Sequence, residues 1–210
     1  MEAKTILRGF DWFSNAVLLM FLSVVMAFGP DIHHIFIPAQ IVFVLTFGAR
    51  FLIKRYKLTS LITWSVVFLI ISIISIFYAN NKVHAYSRTK AMLQVLVFAN
   101  LVMPHIRASK RSFQTFLYLF LLASLFVIIR ALFSAPLEVV FSRRLGSTFD
   151  VNPNTVGHMF SVATIISLYL FLKNRNWSFL IPFSFFFVFA LFSGSRKIFI
   201  LLGVGCVLLV

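Results

Sequence analysis

The chain has 210 residues, 61% of them hydrophobic and only 11% charged, with a mean hydropathy of +1.01. A water-soluble domain cannot hide that much apolar surface, so the composition excludes a soluble globular protein and calls for an integral membrane one. The formal charge of +14 comes from 19 Lys and Arg against 5 Asp and Glu. These basic residues fall at the ends of apolar runs, where they read as headgroup anchors and orientation signals rather than as a nucleic-acid surface.

A helix rises about 1.5 Å per residue, so roughly 20 apolar residues cross the hydrocarbon layer. That spacing predicts an all-α polytopic transmembrane bundle, a single membrane domain over residues 1–210. The first span covers residues 12–29 and closes at Gly29-Pro30. No small-residue cleavage site follows it, so it reads as a signal anchor. After Pro30-Asp31-Ile32-His33-His34 comes a second span, 35–53, and then the densest basic cluster, Arg50, Lys54, Arg55 and Lys57. The third span is 58–79. The fourth, 91–106, is short and carries Gln94, Asn100 and Pro104, which leaves open whether it crosses fully.

The fifth span, 113–133, holds Arg130 roughly one turn from its end. A polar connection over 134–154 leads to the sixth span, 155–172, then to the turn Lys173-Asn174-Arg175-Asn176 and the seventh span, 178–192. The eighth begins at 198 and stops at 210 while still apolar. A terminus there leaves carbonyls unsolvated in hydrocarbon, so the chain is expected to be a fragment or the product of a shortened gene.

Basic residues set the orientation. Lys4, Arg8, the cluster after the second span, Arg107, Lys110, Arg111, Lys173 and Arg175 outnumber Lys82, Arg88, Lys90, Arg130, Arg143, Arg144, Arg196 and Lys197 on the alternate connections. The positive-inside rule therefore puts the amino terminus in the cytoplasm. Two spans separate Arg144 from Arg196, which places both on one face whatever the fourth segment does.

Two polar stretches stand out on that face. Arg144-Leu145-Gly146-Ser147-Thr148-Phe149-Asp150-Val151-Asn152-Pro153-Asn154, with Arg143 just before it, ends at the start of the sixth span. Gly146 and Pro153 break helix, and Asn154 is placed to cap the following one through its side-chain oxygen. The free N–H groups of a helix start, together with two arginines, make an anion seat. A capped helix start with interfacial arginines accounts for the same residues. The second stretch, Ser193-Gly194-Ser195-Arg196-Lys197, permits a sharp reversal with a guanidinium at its mouth. Such a fork grips phosphate at two points, although a plain turn with two snorkelling cations fits as well.

Arg130 either snorkels to the same interface or faces a polar cavity. His158, one turn into the sixth span, is the only histidine placed near the arginines, and a buried hydrogen-bonded histidine is the competing reading. Asp150 is a base or arginine partner on the same footing. His33 and His34 are adjacent and point apart on regular structure, His84 falls in a loop and His105 near the inner interface, so no metal site is expected. The single cysteine, Cys206, excludes an internal disulfide. No cofactor is implied.

Taken together, Arg144, Gly146, Phe149 and Asn152-Pro153-Asn154 at one span start, followed one hairpin later by Ser193-Gly194-Ser195-Arg196, resemble the O-antigen ligase and O-antigen polymerase superfamily of bacterial envelope proteins. The resemblance covers about the last third of the chain and matches the amino-terminal half of such proteins. It implies a bacterial inner-membrane protein that moves a glycan from undecaprenyl diphosphate onto a sugar hydroxyl at the periplasmic side, the acceptor being lipid A core or another glycan repeat. The reaction is metal-independent in that family, and Arg144 and Arg196, with Arg143 and Arg130 as weaker candidates, correspond to groups that contact the diphosphate. Family members continue into a large periplasmic loop carrying a further arginine and a histidine proposed as general base; this chain stops before it and is expected to be inactive alone. Two other classes compete: part of a transporter or flippase for an anionic substrate, and a non-catalytic membrane subunit. The first ordinarily shows internal repeats and broken helices at mid-membrane, and the sequence has no evident repeat.

Overall fold

The computed structural model describes residues 2–28, 33–56, 60–134, 153–193 and 197–209. Among them the fold is all-α, with eight α-helices and no strand. They are α1 (Glu2–Phe28), α2 (His33–Lys54), α3 (Ser60–Tyr78), α4 (Lys82–Arg107), α5 (Lys110–Ser134), α6 (Pro153–Asn174), α7 (Leu180–Phe192) and α8 (Lys197–Leu209). A single 3-10 turn, Trp177–Phe179, leads into α7. Six helices are long and apolar enough to cross a bilayer, and α7 and α8 are shorter apolar helices. The protein is a multi-pass helical membrane protein whose exposed apolar sides face lipid.

The fourth helix differs most from expectation. It reaches back to Lys82 and spans 26 residues, taking His84, Arg88 and Lys90 into its first turns rather than leaving them in a loop. The cause is local: Asn81 adopts an extended backbone and its Oδ1 accepts from the His84 N–H at 2.9 Å, capping the helix. Pro104 lies inside the same helix without ending it. Membrane helices tolerate proline because neighbouring groups and local adjustments can satisfy the carbonyl it frees.

The chain divides into two compact units. One comprises Met1–Gln40 and Leu117–Val210. Its core gathers Ala27, Ile128, Phe160, Phe189 and Ile198, with small residues such as Ala131, Ala163 and Ala190 letting the helices approach. Phe160 lies at the centre, its ring 6.2 Å from that of Phe186 and 6.0 Å from that of Phe189. The α6 helix is the most enclosed span, with 56% of its most apolar window buried, against 6% for α3.

The other unit is Ile41–Phe116. Here α3 and α4 form a hairpin joined by polar contacts: Asn100 Nδ2 donates to Ser65 Oγ at 2.7 Å and Ser72 Oγ to Met92 Sδ at 2.9 Å, and Asn100 Nδ2 also donates within its own helix to the Leu96 carbonyl at 2.8 Å. Phe43 stacks on Phe47 with centroids 4.7 Å apart and tilts onto Phe98 at 5.2 Å. The groove between the two helices, about 390 Å³ in volume, is apolar except for Ser65 and Asn100.

Two helices end on a non-glycine residue in the left-handed conformation. Arg55 follows α2 with φ 48°, its N–H bonding the Leu52 carbonyl while the Tyr56 N–H bonds that of Phe51. This is a Schellman closure. Arg175 follows α6 with φ 52° and a single bond from its N–H to the Phe171 carbonyl, the simpler αL closure.

Candidate functional site

The two polar stretches singled out in the sequence lie largely outside the described residues: Arg143, Arg144, Gly146 and Asn152 from the first, and Gly194, Ser195 and Arg196 from the second. Their described ends are informative. Helix α6 begins at Pro153, two residues ahead of expectation, because proline is pre-set for the first helical position and its missing N–H is not needed there. Asn154 therefore stands exposed within the first turn, not at the position before the helix.

One turn further along the same helix, Gly157 meets the other stretch. A Cβ at Gly157 would collide with Ser193 Oγ and Ile198 Cδ1 and would sit 3.0 Å from Ser193 Cβ. The start of α6 is thus pressed against the end of α7 and the start of α8. Ser193 is wholly buried there, its Oγ donating to the Ala190 carbonyl at 2.7 Å, and Ile198 is 1% exposed. Lys197, the first residue of α8, is exposed, and His158 beside Gly157 is half-buried.

Arg130 lies in the last turns of α5, half-buried, with its Nη1 shielded from the surroundings, and the carbonyl of the same residue accepts from Ser134 Oγ at 2.7 Å. Among the described residues no group of three or more His, Cys, Asp or Glu comes together.

Three buried hydroxyls on α6 were not singled out in the sequence. Ser161, Thr164 and Ser167 are all fully buried and donate to the carbonyls of Gly157, Phe160 and Ala163 at 2.8, 2.8 and 2.9 Å. A hydroxyl in an apolar interior needs an acceptor, and the carbonyl four residues back is always at hand in a helix. Their three-residue spacing in an otherwise apolar span was the available signal. In the second unit, Arg50 is 4% exposed and His105 2% exposed, with the His105 ring edge-on to Phe47 at 5.8 Å. From sequence alone both fall near an interface. Intramembrane ionisable groups of this kind are uncommon and expensive, which makes them the notable polar residues of that unit.

At the end of the first unit where α6, α7 and α8 meet, the amino-terminal turns of α6 and α8 lie together, and helix amino termini carry free N–H groups and a partial positive charge. Comparison with known proteins finds no family model, no curated protein and no solved structure that matches this chain.

Proposed function

We propose that this chain is an O-antigen ligase- or polymerase-like protein of the bacterial inner membrane, with its amino terminus in the cytoplasm. It transfers a glycan carried on undecaprenyl diphosphate to a sugar hydroxyl at the periplasmic side, on lipid A core or on a second glycan repeat. Arg144 and Arg196 hold the diphosphate, helped by Arg143 and Arg130. As the glycosidic bond breaks, negative charge grows on the departing diphosphate; guanidinium groups fixed beside it stabilise that charge without having to reorganise. No residue of this chain is assigned the general base.

The observation that carries this reading is the joint at Gly157, which packs the first turn of α6 against Ser193 and Ile198. It supports a shared site for the two motif-bearing turns, at one end of a multi-pass bundle. A transporter reading gains less support. The hydroxyls of Ser161, Thr164 and Ser167 are bonded within their own helix and fully buried, so they offer no open polar path.

The test is glycan transfer by full-length Arg144→Ala and Arg196→Ala variants. Removing one such donor costs on the order of 100- to 1000-fold in rate. Loss of transfer with an unchanged amount of protein in the membrane is the expected result. Normal glycan chains from both variants would remove the proposed role.

A further inference from the structure

Of the glycines among the described residues, Gly9, Gly48 and Gly203 have open space where a side chain would be, while Gly157 and Gly205 do not. At Gly205 every obstructing atom belongs to the Ile165 side chain, whose tip can rotate away. Gly157 is different. Two of its three obstructing atoms belong to Ser193, a short side chain that is fully buried and bonded to the Ala190 carbonyl. The third belongs to Ile198, which is 1% exposed. Ser193 Cβ moves only with its own backbone, so a methyl group at Gly157 presses on the end of α7. The conformation of Gly157 is not left-handed; space, not φ, makes this position glycine.

We propose that Gly157 is a positioning residue: its missing side chain is a notch that seats Ser193 and Ile198 and so sets the distance between the α6 amino terminus and the facing ends of α7 and α8. The inference rests on the reading above, in which the segments that adjoin these helix ends in sequence carry the diphosphate-binding arginines. It adds that their spacing is fixed from below, by a residue that touches no substrate.

The experiment measures spacing and activity separately, on full-length protein in lipid bilayers. Cys206 is the only cysteine, so a Cys206→Ser background with Asn154→Cys and Lys197→Cys, both at exposed positions, takes one spin label on α6 and one on α8. Close-packed interiors do not absorb an extra methyl, so Gly157→Ala is expected to shift the interspin distance by about 2 Å. In unlabelled protein the same substitution lowers glycan transfer by about tenfold to 100-fold, since misplacement by about 1 Å is enough for such a loss. Adding Ser193→Gly and Ile198→Val removes the obstructing atoms and restores both readouts to the level of the Ser193→Gly/Ile198→Val control.

An unchanged distance in Gly157→Ala overturns the notch. A shifted distance with undiminished transfer overturns the positioning role, as does a compensated variant that stays shifted. Should Gly157→Ala fail to accumulate, recovery of the protein by the two compensating substitutions supports the notch, and continued loss overturns it. The distance does not depend on glycan chemistry: a shift in a protein whose wild type transfers no glycan retires the proposed function and leaves the notch standing.

Discussion

A guanidinium offers a phosphate two parallel donors, and an ammonium offers a point charge. Arg144→Lys and Arg196→Lys therefore keep the charge but lose the fork, and transfer is expected to fall by on the order of tenfold, the equivalent of one charge-assisted hydrogen bond. Transfer assays on membranes with matched protein levels check this, and full activity in both lysine variants would show that charge alone suffices. A second prediction concerns the α3–α4 hairpin, where Asn100 Nδ2 reaches Ser65 Oγ at 2.7 Å. Such bonds between membrane helices average about 0.6 kcal/mol and reach about 1.7 kcal/mol. A double-mutant cycle on Asn100→Ala and Ser65→Ala, read by unfolding in detergent, is expected to give a coupling in that range, and zero coupling would make the bond incidental. Residues were the least legible scale. Gly157 is one of 8 glycines in the chain, and nothing around it in sequence announces that Ser193 and Ile198 will fill its notch. The same holds for Arg50: with Lys54, Arg55 and Lys57 just beyond, it reads as one more anchor, and only tertiary packing makes it 4% exposed.

Helix ends decide more than helix middles. The reach of α4 to Lys82 was hidden because His84, Arg88, Thr89 and Lys90 dilute its hydropathy, yet Asn81 caps it. Asn81→Ala is expected to cost about 1 kcal/mol and to fray the first turn, seen as faster amide exchange at His84. Unchanged exchange would mean that packing, not the cap, holds that turn. At the far end of α6, Arg175 is exposed and holds φ at 52°. A left-handed conformation costs an L-residue roughly 1 kcal/mol or more, so Arg175→Gly is expected to raise stability by about that amount in thermal unfolding. A lower melting temperature would show that the arginine side chain contributes more than its backbone costs. By contrast, the spans themselves were legible from composition. Runs of roughly 20 apolar residues leave a backbone in lipid no alternative to helix, and the helices starting at Ser60, Lys110 and Pro153 all fall within a few residues of the predicted spans.

At the scale of the whole molecule, an all-α multi-pass architecture was fixed by 61% hydrophobic content and six apolar helices long enough to cross a bilayer. The division into one unit from Met1–Gln40 with Leu117–Val210 and another from Ile41–Phe116 was not visible in the sequence, because hydropathy marks which residues meet lipid or protein but not which helices pair. The central functional claim belongs to this scale, since it needs Arg144 and Arg196 on one side of the bilayer, and that side to be the periplasmic one. In a Cys206→Ser background, single cysteines placed at Arg144 and at Arg196 can be challenged in intact cells with a membrane-impermeant thiol reagent. Labelling of both from outside is the expected result. Labelling of only one of them, or of neither until the cells are opened, would contradict a shared periplasmic grip on a lipid-linked diphosphate.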